Sequence, residues 1–151
     1  MSPLLSSLLA TQFTSGNFPS STHSTHNDVL VQFCHGAPGF LISLRSLFPH
    51  FPDLQRQITS AIGDAERCVL KRGVLRKSPS LCHGLYGNAL SLSATDMPKM
   101  LRLSCPEAHE WSEDDDEDKR FGLQTGEGGR CWAMAIAASE RVGSILGYND
   151  V

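Results

Sequence analysis

The sequence has no long apolar run. Its 151 residues contain no stretch of about 18 apolar residues, the length that a helix needs to cross a bilayer. An excess of basic charge is also missing, because the formal net charge is -3 at pH 7. A surface that binds nucleic acid needs a positive field to engage phosphates. We therefore expect neither a transmembrane segment nor a nucleic-acid partner.

A cysteine framework of the secreted type is absent as well. Small secreted domains use an even number of cysteines at compact spacing. Residues 1–10 are apolar but have no Lys or Arg ahead of the apolar stretch, unlike a secretory leader, and they indicate the end of a helix. These features favour a reducing compartment and predict a cytoplasmic location. The five cysteines are odd in number and widely spaced: Cys34, Cys68, Cys82, Cys105 and Cys131.

Two segments have the apolar spacing of helices. The first covers residues 38–48 and the second starts at Asp53, a plausible N-cap, and ends near Gly73. Pro49 and Pro52 separate the two helices, since proline cannot continue a helix from the preceding turn. Before them, residues 14–27 are rich in Ser, Thr, Asn, Gly and Pro, a composition that predicts a loop.

A glycine-containing turn followed by a helical pattern occurs three times. Cys34-His35-Gly36 and Cys82-His83-Gly84 begin the first two copies, and the glycine-rich turn 126–129 begins the third. Between the last two copies, the like charges of the acidic run at 113–118 repel one another and predict a polar loop over 112–120. The repeats predict an all-α architecture in which each helix pair packs against the next.

The two Cys-His-Gly triplets contain ligands that zinc prefers. Composition alone gives roughly 0.02 expected copies of this triplet in the chain, so two copies exceed compositional noise. Glycine after each Cys-His pair permits a positive φ where the loop enters its helix. A cysteine near a helix N-terminus should also have a lowered thiol pKa, which favours the metal-binding thiolate. From spacing alone, however, buried cysteines with no metal are an equal alternative.

A family resemblance rests on these motifs. Residues 33–39, Phe-Cys-His-Gly-Ala-Pro-Gly, resemble the Trp-Cys-His-Gly-Ala-Pro-Gly motif of eukaryotic lanthionine synthetase C-like (LanC-like) proteins. Residues 81–88, Leu-Cys-His-Gly-x-x-Gly-Asn, resemble the second Cys-His-Gly motif of that family. Residues 15–21 and 147–151 also resemble family segments, so the similarity extends over nearly all of residues 1–151.

The resemblance implies a partial α/α toroid, the C-terminal portion of the family fold without its upstream half. It makes Cys34, Cys82 and His83 the zinc ligands and places His35 beside the metal, with a catalytic or substrate-contacting role. The implied chemistry is zinc activation of a cysteine or glutathione thiol, which then adds to a dehydroalanine or dehydrobutyrine residue. The implied partner is therefore glutathione or a peptide thiol.

The sequence departs from the family in one important respect. The histidine and carboxylate that act as acid and base in the family lie upstream of the first motif and have no counterpart here. His23 and His26 are expected to be surface loop residues instead. Three hypotheses follow: a thiol-adding zinc enzyme that is weakly active or inactive alone, a non-catalytic helical interaction module with a structural zinc, or a helical domain without metal. The oligomeric state is left open.

Overall fold

The computed structural model describes residues 2–24, 26–75, 77, 80–103 and 120–139. Within these ranges the regular structure is helical, apart from an isolated β-bridge between Gln32 and His35. The predicted all-α class is thus confirmed for the described residues. Their helices are α1 (Ser2–Leu9), α2 (Ala37–Leu47), α3 (Gln55–Arg72), α4 (Leu85–Leu90), α5 (Met97–Leu101) and α6 (Glu127–Ala138).

The first two predicted amphipathic helices form α2 and α3, within one or two residues of the expected ends. Pro38 lies in the first turn of α2, where its missing N–H costs no intrahelical hydrogen bond. The predicted N-cap at Asp53 is wrong. A 3₁₀ turn over Pro52–Leu54 precedes α3, and Leu54 occupies the cap position without a side-chain hydrogen bond. Proline and the 3₁₀ turn thus delay the start of the α-helix beyond Asp53.

The core lies between α2 and α3 and continues into α4. Helix α2 packs against α3. Leu41 and Leu44 of α2 are buried, and so are Ile58 and Ala65 of α3. Helix α1 also contacts α3, and α4 contacts both α5 and α6. Burial of these apolar side chains supplies the main driving force for holding the short helices together.

The polar segment that precedes α2 is anchored on that helix. Residues 14–24 and 26–27 contain turns and no helix. Phe18 is fully buried, and its ring stacks on Phe40 of α2 with centroids 4.1 Å apart and planes 6° apart. The loop is therefore packed onto α2 instead of hanging free in solvent. The acidic run at 113–118 lies outside the described residues, as does most of the predicted loop 112–120.

Within the described part of the chain, no helix combines the length and the apolar character that crossing a membrane requires.

Candidate metal centre

Backbone hydrogen bonds join the three glycine-containing loops. The Cys34 N–H donates to the Cys82 carbonyl over 3.0 Å, and the Cys82 N–H donates to the Gln124 carbonyl over 2.9 Å. These loops precede α2, α4 and α6, so the N-terminal ends of the three helices lie side by side. The structure thus brings the two Cys-His-Gly motifs together although 48 positions of sequence separate Cys34 from Cys82.

One glycine inside each of these helices allows its loop to fold closely over the first turn. A Cβ on Gly39, Gly87 or Gly129 would lie 1.8–2.3 Å from a backbone carbonyl oxygen, a distance at which no side chain fits. In each case the carbonyl belongs to the residue six positions earlier. The pairs are Phe33 with Gly39, Leu81 with Gly87 and Leu123 with Gly129.

This shared register gives the third loop the same pattern as the other two. Each loop reads x-x-Gly-x-x-Gly, with Cys34, Cys82 or Gln124 at its first position. The third glycine turn was predicted from the sequence, but Gln124 was not identified there as the counterpart of the two cysteines. The constant spacing of the two glycines was the available signal, because it aligns all three loops without reference to cysteine.

The Cys34 sulfur is exposed and has two polar neighbours. Gln32 Nε2 lies 3.3 Å from Cys34 Sγ, and His35 Nδ1 lies 3.1 Å from the same sulfur. Lys77 Nζ donates to Gln32 Oε1 over 3.0 Å, which orients the amide so that its NH₂ group faces the sulfur. His35 therefore lies directly beside the predicted ligand Cys34.

The Cys82 thiol binds its proton more tightly than an ordinary thiol. Burial, together with the side-chain hydrogen bond and charge interaction with Cys34, raises the pKa of Cys82 to about 11. The expectation that a helix N-terminus lowers this pKa is wrong for the metal-free chain. Helix α4 has only six residues and starts three positions after Cys82, so its dipole is small and distant.

The third predicted ligand, His83, is half-buried, and its backbone N–H donates to Ser80 Oγ over 3.3 Å. Among the described residues, no group of three or more His, Cys, Asp or Glu side chains is arranged to hold a metal ion. Two of the predicted donors nevertheless interact, because Cys34 contributes to the raised pKa of the Cys82 thiol. The donor chemistry fits zinc, whereas His83 does not complete a three-residue cluster with the two thiols.

The two glycines that follow the Cys-His pairs differ in conformation. Gly36 has φ +114°, and a Cβ there would lie 2.3 Å from the Leu30 carbonyl oxygen, so the predicted need for glycine is confirmed. Gly84 has φ -118°, an extended conformation that other residues adopt, so the prediction of positive φ is wrong there.

Buried Asn17 fixes the start of α2 next to the Cys34 loop. Its Oδ1 accepts the Ala37 N–H over 2.8 Å, which satisfies one of the free donors at the helix N-terminus. Its Nδ2 donates to Asp28 Oδ1 over 2.8 Å and to the Leu30 carbonyl over 3.0 Å. Asn17 lies in the segment predicted only as a loop, and its structural role was not anticipated from the sequence.

A cavity of about 390 Å³ adjoins the Cys34 loop. Cys34 and His35 form part of its wall, and Phe33, Phe40 and Leu44 supply apolar surface. His23 and His26, by contrast, are exposed residues of the preceding segment and do not line this cavity. The cavity provides space beside the Cys34 sulfur.

Comparison with known proteins agrees with this arrangement of motifs. The family described as "Lanthionine synthetase C-like protein" matches residues 3–97, a span that includes Cys34, Cys82 and His83. The chain is 35% identical over 101 residues to "Glutathione S-transferase LANCL1" of Danio rerio, a match that covers 62% of the chain and 24% of the zebrafish protein. It is 39% identical over 75 residues to "LanC-like protein GCL1" of Arabidopsis thaliana.

The Arabidopsis match covers 50% of the chain and 17% of the plant protein, so the chain corresponds to less than a quarter of the length of both relatives. The family match nevertheless extends over more than half of the chain and contains both Cys-His-Gly motifs. On these grounds the chain belongs to the lanthionine synthetase C-like family.

Proposed function

We propose that this chain binds one zinc ion through Cys34, Cys82 and His83. The observation that carries the proposal is the backbone hydrogen bond of 3.0 Å from the Cys34 N–H to the Cys82 carbonyl, which brings the two cysteine loops together. Thiolate and imidazole are the preferred protein ligands of zinc, and three such ligands leave one tetrahedral position for a substrate or water. His83 follows Cys82 directly in the chain and is the proposed third ligand.

We further propose that the site belongs to a thiol-adding enzyme of the glutathione type. Bound zinc would lower the pKa of a glutathione or peptide thiol, which then adds to a dehydroalanine or dehydrobutyrine residue. The zebrafish relative is named a glutathione S-transferase, which supports a glutathione donor. The reducing conditions of the cytoplasm, the proposed location, would keep Cys34 and Cys82 as thiols.

His35 is proposed to contact the substrate beside the metal. Its Nδ1 lies 3.1 Å from Cys34 Sγ, and its side chain shares a cavity wall with Cys34. A molecule held next to that sulfur would meet the imidazole, which can donate or accept a hydrogen bond. Because His35 is not a proposed ligand, a His35→Asn variant should keep its zinc.

A second candidate is a non-catalytic helical interaction module in which zinc only stabilises the loops. The observation in its favour is the pair of backbone hydrogen bonds that links the Cys34, Cys82 and Gln124 loops, which an ion bound beside them would hold together. The two candidates differ in one measurement. Mass spectrometry of a dehydroalanine peptide incubated with glutathione and zinc-loaded chain would detect the thioether adduct that only the enzyme forms. An adduct that forms with the unaltered chain but not with Cys82→Ala supports the enzyme, whereas no adduct above the uncatalysed level means that zinc in this chain has only the stabilising role.

Metal analysis of the purified protein tests the ligand set. We expect about one zinc per chain in the unaltered protein and in a Cys131→Ala variant, whose exposed cysteine on α6 is the matched control. Cys34→Ala, Cys82→Ala and His83→Ala should each lose most of the metal, because two remaining ligands hold zinc weakly.

A metal-free unaltered protein with full stability would overturn the zinc site. Full zinc content in His83→Ala, with zinc lost in both cysteine variants, would show that another residue supplies the third ligand. His35→Asn tested on the His83→Ala background would then identify whether that residue is His35.

A further inference from the structure

The Cys34 and Cys82 pair has the geometry of a disulfide precursor. The backbone hydrogen bond of 3.0 Å from the Cys34 N–H to the Cys82 carbonyl brings the backbones of the two residues together. Disulfides join residues whose Cα atoms lie about 4.4–6.8 Å apart, and a direct backbone hydrogen bond keeps two residues about that close. The two loops are therefore already adjacent at the positions that a disulfide would join.

The two thiols differ in accessibility. Cys34 is exposed and borders a cavity, whereas Cys82 is half-buried behind it. A soluble oxidant therefore reaches Cys34 first, and Cys82 is positioned to resolve the product. The other described cysteines provide contrasts, since Cys68 is buried next to Arg72 and Cys131 is exposed on α6.

We propose that the metal-free Cys34 and Cys82 form an intramolecular disulfide when they meet glutathione disulfide. In the first step Cys34 sulfur attacks glutathione disulfide, which forms a mixed disulfide and releases one glutathione that takes up the Cys34 proton. In the second step Cys82 sulfur attacks the Cys34 sulfur of the mixed disulfide and releases the second glutathione with the Cys82 proton. Two protein thiols are oxidised and one glutathione disulfide is reduced to two thiols.

The disulfide would switch off metal binding at the same position. Zinc needs both sulfurs as thiolates, and a disulfide sulfur is no longer such a ligand. Metal loading and oxidation therefore exclude each other. This regulation of zinc binding rests on the proposed function. Formation of the disulfide in the metal-free chain does not depend on the proposed function.

The test treats the full chain with glutathione disulfide after removal of metal by a chelator. Peptide mapping by mass spectrometry without reduction should give a linked pair of peptides that contain Cys34 and Cys82. The intact mass should fall by two hydrogens without a glutathione adduct at either residue. Cys131→Ala should behave identically at this pair. Cys82→Ala should instead retain glutathione on Cys34, because the resolving thiol is gone.

Two results would overturn the inference: a stable glutathione adduct on Cys34 in the unaltered metal-free protein, or linkage of Cys34 to a different cysteine. Metal analysis on the same samples separates this inference from the proposed function. A Cys34 to Cys82 disulfide in a protein that takes up no zinc supports the inference and contradicts the zinc site. Zinc uptake by a protein whose metal-free form makes no such disulfide supports the zinc site and contradicts the inference.

Discussion

Asp28 carries a charge that the fold stabilises at the edge of the Cys34 loop. Burial alone would raise its pKa, but hydrogen bonds from Ser15, Asn17 and Arg72, with the Arg72 charge, outweigh burial and hold the pKa of Asp28 below its ordinary value. Arg72 Nη1 lies 2.9 Å from Asp28 Oδ1, and Arg72 Nη2 donates to the Asp28 carbonyl over 2.7 Å. Asp28 thus ties the segment before α2 to the end of α3.

This arrangement predicts acid sensitivity. Because the folded pKa lies below the unfolded value, the stabilisation is complete above the unfolded pKa and is lost as the pH falls through the folded pKa. Asp28→Asn should lower the free energy of unfolding by about 1–2 kcal/mol at pH 7, a value reduced for partial exposure of the ion pair. The difference between the two proteins should shrink below about pH 4.

Urea denaturation of both proteins from pH 3 to pH 7 measures this difference. Asp64→Asn is the control, because Asp64 pairs with Arg67, whose side chain is 72% exposed, and the substitution should change stability little. A stability difference between the unaltered protein and Asp28→Asn that stays constant over the whole pH range would contradict the prediction.

At the scale of the helix and its loop, the close contact of Gly87 with the Leu81 carbonyl is the most restrictive feature of the second motif. A Cβ on Gly87 would lie 1.8 Å from that backbone oxygen, and backbone atoms cannot move aside as a flexible side chain can. Gly87→Ala should therefore destabilise the protein by about 2–4 kcal/mol and separate the Cys82 loop from α4.

The matched control is Gly63→Ala within α3. The nearest heavy atom to a Cβ at Gly63 is Arg67 Nη1 at 3.6 Å, an ordinary contact with a flexible side chain. Since alanine favours helix over glycine, this variant should gain about 0.5–1 kcal/mol. Chemical denaturation compares the two variants, and equal midpoints would refute the proposed role of Gly87.

Individual helices of this fold could be predicted from the sequence, because their signals are local. Helix α2 follows its apolar spacing and Pro38, and α3 ends at Arg72 just before Gly73, as the pattern predicted. The positive φ of Gly36 could be predicted for the same reason. Asp53 was misplaced as a cap because a 3₁₀ turn that starts at Pro52 precedes the helix instead.

The relations between loops could not be predicted in the same way. The raised pKa of Cys82 depends on Cys34, and the capping of α2 depends on Asn17, which lies 20 positions before Ala37. Both effects arise from contacts between distant segments, on which helical periodicity carries no information. The resemblance to the family motifs indicated Cys34 and Cys82 as two ligands of one site. Only the structure shows that His35 Nδ1 lies next to the Cys34 sulfur.

At the scale of the whole molecule, the three linked loops couple the helices that follow them. Cys34 bonds to the Cys82 loop and Cys82 to the Gln124 loop, so an ion held between the first two loops would also constrain the third. We propose that these three linked loops form part of the toroid that the family resemblance implies. The match covers 24% of the length of the zebrafish relative. Zinc should accordingly stabilise the described helices as one unit.

The final prediction is therefore a single thermal transition that zinc shifts upward. A ligand at 100 times its Kd stabilises the folded state by about 2.7 kcal/mol, and in a chain of this size each kcal/mol raises Tm by roughly 2–4 °C. Differential scanning calorimetry should show a rise of about 5–11 °C in the unaltered protein and in Cys131→Ala, whose exposed cysteine belongs to α6 and not to the two Cys-His-Gly loops. Cys82→Ala should show no rise, because zinc then loses the ligand nearest the Gln124 loop.

An equal rise of Tm in Cys82→Ala would mean that zinc stabilises the chain at some other place. Two thermal transitions, of which only one shifts with zinc, would mean that the loops do not couple the helices.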